Sequence, residues 1–321
     1  MSPLIRFQCS VFSFQFANSR PKLMTTFLDS ERLLSPELIG QLERMELVSR
    51  KIFRGQVRGE RRSKRKGQSV ELADFRNYVP GDDPRFIDWN SFARLDRLFL
   101  KLFQEEEDLH FYCLVDSSPS MQFGEPTKYF YARQLAAALG YIGLIRSDRV
   151  KIEPICTEIA QPAPILRGRS SLWRLLQQLQ SWHPGPAISL ETSLRQFVSR
   201  NTNKGVVVLI SDLMDRAGYE SAVKYLVTRN FDIYVIQVLA RAEIDPGVTG
   251  DIRLVDCEDN SMMDVSVSPW LIDRYKQTLA RFLRHASEYF AKRSITYFMT
   301  TTDRPLEQLI GGYLRQRGLV R

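Results

Sequence analysis

HFYCLVDSSPS, residues 110–120, decides how the rest of the chain is read. A short apolar strand runs into Asp116, and the loop Asp116-Ser117-Ser118-Pro119-Ser120 follows at once. Residues 128–145 then read as a helix with small residues at Ala132, Ala136 and Gly140, which lets it lie close to a sheet. Strand, loop and helix in that order make the first unit of an α/β domain.

Further along, the same rhythm repeats. Strands are expected at 149–156, 206–213 (VVVLISDL), 231–239 (FDIYVIQVL) and 294–301, and helices at 170–180, 190–200, 219–228 and 270–292. Residues 158–166 are expected to return as a hairpin partner, and 251–267 to form a short antiparallel excursion. Apolar strands without alternation belong to a sheet covered on both faces. The expected fold is therefore α/β: a three-layer, mostly parallel, doubly wound sheet over residues 109–303, with a C-terminal helix over 304–321.

Upstream of residue 109 the reading is less regular. LLSPELIGQLERMELVS, residues 33–49, reads as an amphipathic N-terminal helix with Ser35 as cap and Pro36 at its first position. Pro80-Gly81 marks a turn, Asp83-Pro84 a helix start, and residues 97–104 an alternating strand. Residues 31–108 are thus an accessory region holding a small β/helical element. Residues 1–30 read as a leader without fixed structure. The apolar stretch RFQCSVFSFQFA (6–17) is interrupted by Gln8 and Gln15, and Asn18-Ser19-Arg20 makes a poor cleavage site.

Charge is concentrated. The formal net charge is +8, and residues 50–66 alone carry nine Lys or Arg against one acid, Glu60. A solvated loop, a docking site for an acidic partner, or a nucleic-acid or anionic-surface contact would each use such a segment. Phe53 is its only aromatic, so it lacks the interleaved rings of a stacking platform, and nucleic acid is the less favoured partner. No apolar run reaches the roughly 18–20 residues that span a bilayer. The four cysteines (Cys9, Cys113, Cys156, Cys257) are widely spaced, which suits reduced thiols in a cytoplasm-like compartment. Only three histidines occur, and none is spaced as a metal motif.

The chemistry-bearing residues gather where ligand sites of open α/β sheets lie, at the carboxyl ends of strands. Asp116, Ser118 and Ser120 would turn one carboxylate and two hydroxyls to one point. A second strand ends in Ser211-Asp212, and Thr192 lies in the intervening loop. Hard oxygen donors with little charge suit Mg²⁺, with Mn²⁺ or Ca²⁺ as alternatives, and leave room for a partner's Asp or Glu. The simpler alternative is that Asp116 and Asp212 merely cap helices, as many strand-end aspartates do.

This series resembles the metal-dependent adhesion site of von Willebrand factor A domains. The stretch GQSVELADFRNYVPGDDPRFIDWNSFAR (67–94) is similar to the signature of the bacterial family called "domain of unknown function 58". The resemblance implies a von Willebrand factor A-like fold, a metal at Asp116, Ser118, Ser120, Thr192 and Asp212, and association with a MoxR-type AAA+ ATPase. One departure is that Thr192 follows Leu190-Glu191, where A domains often have glycines. In the signature, Asp74, Arg76, Asp82, Asp83, Arg85, Asp88 and Arg94 are expected to pair and clamp the element to the α/β domain, with Trp89 and Phe92 as packing residues.

Enzymatic readings have less support. The phosphate-binding glycine loops and the Gly-x-Ser-x-Gly elbow are absent from the sequence. A phosphohydrolase built on Asp116 would want a second acid two residues on, where Ser118 stands. The leading expectation is a non-catalytic, metal-dependent interaction module acting as an adaptor in assembly or maturation of a client. Surface binding through residues 50–66 and metal-dependent phosphohydrolysis follow in that order.

Overall fold

The computed structural model describes residues 14–16, 33–47, 71–104, 109–156, 162–184, 188–229, 231–256 and 261–320. The chain divides into two compact units, one from Met1–Arg54 with Leu109–Arg321, the other from Gly55–Asp108. The basic segment 50–66 lies outside the described residues.

The elements run β1 (Phe14–Phe16), α1 (Pro36–Leu42), β2 (Glu71–Asn77), α2 (Trp89–Leu95), β3 (Phe99–Gln104), β4 (His110–Asp116), α3 (Lys128–Ile145) and β5 (Arg149–Ile155). They continue with α4 (Leu172–Gln180), α5 (Leu190–Arg200), β6 (Val206–Ser211), α6 (Glu220–Thr228), β7 (Asp232–Leu239) and α7 (Arg241–Ile244). The chain then forms β8 (Gly250–Asp256), β9 (Met262–Val267), α8 (Pro269–Ala291), β10 (Thr296–Thr301) and α9 (Leu306–Gln308).

Five strands form the central sheet in the order β5-β4-β6-β7-β10, all parallel. Chain order reverses between β4 and β6: the chain leaves β4 for β5 on one side and comes back to β6 on the other. That reversal opens a crevice at the carboxyl ends of β4 and β6.

Alternate residues of each strand enter opposite cores. Phe111, Cys113, Val115, Val206, Val208 and Ile210 pack with α1, α3 and α4 on one face. Tyr112, Leu114, Val207 and Leu209 pack with α5, α6 and α8 on the other. Burial on both faces is why these strands show no apolar/polar alternation. Helix α3 sits close because Gly140 has no side chain: a Cβ there would lie 2.8 Å from Ile152 Cδ1 and 2.9 Å from Leu175 Cδ2. The result is the three-layer, parallel α/β architecture expected from the sequence.

Several boundaries differ. Ser35 caps α1 as expected, its Oγ accepting from Leu38 N at 3.1 Å. The helix stops at Leu42, well short of residue 49, and it belongs to the larger unit, whereas the sequence reading placed it in the accessory region 31–108. Burial explains this: Leu33, Leu34, Leu38 and Leu42 join the core around α3. Of the leader expected over 1–30, residues 14–16 form β1 against β8 instead of remaining unstructured. The expected hairpin return is described only at its end, as one bridge between Leu166 and Val150. The C-terminal helix is a short turn, α9, running into a π-helix at Leu309–Leu314, where Gly311 and Gly312 weaken ordinary helix.

The smaller unit is a two-stranded antiparallel ribbon, β2 and β3, with a bulge between Leu72 and Asp74, and with α2 between the strands. Asp83 caps the 3₁₀ turn Pro84–Phe86, as its Asp-Pro pair predicts. The ion pairs described for the signature are internal to this unit: Arg76–Asp82 at 2.7 Å, Arg85–Asp83 at 2.6 Å and Lys101–Asp88 at 3.3 Å. Trp89 and Phe92 meet edge-to-face with centroids 6.2 Å apart, yet both stay exposed, against the expectation of packing residues. A ribbon with one short helix has too little apolar surface to cover them.

Candidate functional site

The crevice between β4 and β6 holds a cavity of about 270 Å³. Asp116, Ser118, Ser120, Asp212 and Cys156 line it, together with Ser189, Asp215 and Arg216. The two aspartates are placed by the strands: Asp116 is the last residue of β4 and Asp212 the first after β6, so both side chains stand at the crevice floor. Both are almost fully buried, Asp116 at 4% and Asp212 at 1% exposure.

Each aspartate uses one oxygen locally. Asp116 Oδ1 accepts from Ser118 N at 2.9 Å, and Asp212 Oδ1 accepts from Met214 N at 3.0 Å. These bonds close local turns; neither aspartate caps a helix, since Ser118 precedes the 3₁₀ turn at Pro119 and Tyr219 precedes α6. The other oxygens bind across the switch point. Ser211 Oγ donates to Asp116 Oδ2 at 2.5 Å, and Ser120 Oγ donates to Asp212 Oδ2 at 2.8 Å. Ser118 Oγ lies 3.0 Å from Ser120 Oγ. Asp116, Ser118, Ser120 and Asp212 are therefore brought together.

Thr192 is not. It lies in the first turn of α5, half-buried, where its Oγ1 accepts from Ser189 Oγ at 2.9 Å. The cavity wall there is formed by Ser189, the cap of α5, instead. The Leu190-Glu191 pair that precedes Thr192 is already helical, so the hydroxyl is carried within the first turn of α5.

Sequence reasoning missed Lys128 and Glu243. Lys128 is the first residue of α3 and wholly buried. Its Nζ donates to Asp212 Oδ2 at 2.8 Å and to Glu243 Oε1 at 2.6 Å. Glu243 Oε2 in turn accepts from Ala240 N at 2.7 Å, which closes the start of α7. A lysine at a helix start ordinarily reads as solvated. The available signal was its place beside Thr127, the cap of a helix that is otherwise almost entirely apolar.

Electrostatics separate the two aspartates. Burial raises the Asp116 carboxyl, the nearby Asp212 charge raises it further, and it is pushed up to about 6. Burial acts most strongly on Asp212 as well, but the Lys128 ammonium and the hydrogen bonds from Met214 N and Ser120 together outweigh it and hold that carboxyl below its ordinary value. Lys128 itself loses solvation, and the charges of Asp212 and Glu243 more than restore its preference for the protonated form. Among the described residues no basic side chain pairs with Asp116. Cys156, a free thiol with a left-handed backbone (φ 59°), is held far from ionisation by burial and then by Asp116.

These groups fit a hard divalent cation. Lys128 pairs with both Asp212 and Glu243, and Arg216 of the cavity wall pairs with Asp256, so the charge of Asp116 goes unmatched among the described residues when it is ionised. Two hydroxyls flank the unmatched carboxylate at the floor of an open cavity. No set of three or more His, Cys, Asp or Glu converges as a metal cage among the described residues. Any cation here relies on hydroxyls and on groups from outside.

The profile described as "Protein of unknown function DUF58" matches residues 74–284. The chain belongs to the DUF58 family. Curated relatives include the uncharacterized proteins Rv1480 of Mycobacterium tuberculosis and Mb1516 of Mycobacterium bovis, each 24% identical over 250 residues, covering 76% of this chain and 78% of theirs. Solved structures similar to this DUF58 chain include a conserved hypothetical protein, BatB, of Bacteroides thetaiotaomicron (TM-score 0.41, 14% identity, 65% of this chain and 98% of that one). Another is an aerotolerance-related membrane protein of Bacteroides fragilis (TM-score 0.42, 14% identity, 65% and 99%). No helix among the described residues of the DUF58 chain is long and apolar enough to cross a membrane.

Proposed function

We propose that this DUF58 chain is a non-catalytic interaction protein whose larger unit is a von Willebrand factor A-like domain. Asp116, Ser118 and Ser120 would hold Mg²⁺, or Mn²⁺ or Ca²⁺ in its place, with Asp212 behind them. The observation that carries this reading is Asp116: a buried carboxylate with no ion-pair partner among the described residues, opening on a cavity lined by the Ser118 and Ser120 hydroxyls. When bound, the metal supplies a Lewis-acidic position that a partner's Asp or Glu can fill. The chain's own residues do the rest. Ser211 and Ser118 N orient Asp116, and Ser120 donates to Asp212 while meeting the Ser118 hydroxyl.

The partner class is a protein presenting a carboxylate. By the family resemblance it includes a MoxR-type AAA+ ATPase, with this chain as adaptor for assembling or maturing a client in the cytoplasm. The phosphohydrolase alternative is less favoured because Ser118, where a general acid would be needed, shares a hydrogen bond with Ser120 instead.

The test is thermal unfolding with Mg²⁺ and Mn²⁺ on wild type beside Asp116→Ala. A ligand specific to the folded state adds about 2.7 kcal/mol at a hundredfold excess over its Kd. The wild type is expected to shift and the variant not. Equal shifts in both would remove Asp116 from the site. Partner capture that persists in excess EDTA would defeat the metal-dependent reading.

A further inference from the structure

Lys128 occupies a place that is unfavourable for a cation twice over. Its ammonium is wholly buried, and it stands at the N-terminus of the 18-residue helix α3, where the helix dipole opposes positive charge. It is held there on two sides, by Asp212 Oδ2 at 2.8 Å and Glu243 Oε1 at 2.6 Å. Glu243 cannot swing away, because its other oxygen caps α7 through Ala240 N and its backbone carbonyl accepts from Tyr275 OH at 2.6 Å.

Asp212 Oδ2 therefore already serves two donors, Lys128 Nζ and Ser120 Oγ, while Oδ1 serves Met214 N. Asp116 faces the same cavity with no cationic partner among the described residues. One carboxylate of the site is neutralised from within and the other is not.

We infer that Lys128 is a resident counter-ion that withholds Asp212 from the metal, so that the site binds its cation weakly until a partner's carboxylate completes it. This rests on the metal reading above and deepens it. Lys128 is a positioning residue: it acts on the metal by engaging the Asp212 oxygen that would otherwise face it. The device ties metal occupancy to partner engagement, because the missing negative ligand comes from outside.

The experiment is a Mn²⁺ titration of the full chain, with free Mn²⁺ read by electron paramagnetic resonance. It compares wild type, Lys128→Met and the double variant Lys128→Met/Glu243→Gln. The double variant removes one positive and one negative charge, so the net charge of the cluster is kept and folding does not depend on an added unmatched carboxylate. Circular dichroism checks that each variant is folded. Both variants are expected to bind Mn²⁺ about tenfold tighter or more than wild type. Tightening in the single variant alone would reduce the effect to net charge and overturn the inference. So would unchanged or weaker binding in both, with wild type still binding. Absence of Mn²⁺ binding in wild type and in both variants would instead defeat the metal reading itself.

Discussion

Ser211 and Ser120 exchange support across the switch point. Ser211, at the end of β6, donates to Asp116 at the end of β4, and Ser120, after β4, donates to Asp212 after β6. The two strand ends are latched by these reciprocal bonds, so neither aspartate can be repositioned without moving the other. Ser211→Ala removes the donor to Asp116 and also the acceptor for Leu213 N at 2.9 Å. It is expected to cost about 1–3 kcal/mol of stability, measured by urea unfolding. A cost near zero would mean that the latch contributes nothing to the fold.

Asp116 sets a pH dependence with a definite sign. Its carboxyl is raised from 3.8 unfolded to about 6 folded, so the folded state favours the protonated form. The Asp116 contribution is fully present below pH 3.8 and is lost as pH rises through about 6, with an upper limit of about 3 kcal/mol. Asp116→Asn should therefore gain stability relative to wild type above pH 6 in metal-free buffer, the gain fading below pH 4. A difference that stays constant across that range counts against an uncompensated Asp116. Asp212 has the opposite sign: its carboxyl is lowered, and its contribution is lost only as acid protonates it.

Removing one member of a buried ion pair leaves the others uncompensated. Lys128→Met is expected to destabilise the metal-free protein by roughly 3–5 kcal/mol, and adding Glu243→Gln should return part of that. Strictly additive losses in denaturant melts would mean that Lys128 and Glu243 do not act together.

Gly140→Ala inverts the usual rule for a helix. In an unconstrained helix the change gains roughly 0.5–1 kcal/mol. Here the added methyl meets Ile152 and Leu175, and a net loss of about 1–3 kcal/mol is expected from calorimetry. A rise in Tm would show that α3 can lift from the sheet at no cost.

On the opposite face, Tyr112, Phe197 and Phe231 form a ring cluster with centroids 5.4–6.1 Å apart. Phe197→Ala should cost about 3–5 kcal/mol through the cavity left between α5 and the sheet. Denaturant unfolding measures it, and a cost under about 1 kcal/mol would mean that the cluster closes over the gap.

Strands such as VVVLIS and DIYVIQVL were legible because burial on both faces leaves an unbroken apolar run, and the aspartates because they stand where such runs end. Asp116, Ser118, Ser120 and Asp212 do meet, since loop spacing and strand order are both written in the chain. Thr192 was misplaced because the exact start of a helix turns a hydroxyl toward or away from a cavity, and spacing does not resolve one turn. Lys128 and Glu243 were invisible for a different reason. Each looks like an ordinary solvated charge, and only tertiary packing brings them together over 115 positions. The place of α1 in the main core was hidden likewise, since its partners lie far downstream.

The bridge between Leu47 and Val320 brings the two flanks of the larger unit into one core. Residues 33–47 leave the ribosome long before residues 306–320 exist to cover them. Until then Leu38 and Leu42 have an incomplete apolar bed, and loop closure across nearly the whole chain must come last. Vectorial synthesis thus leaves the nascent chain with an unfinished apolar flank, open to aggregation until its last residues are made.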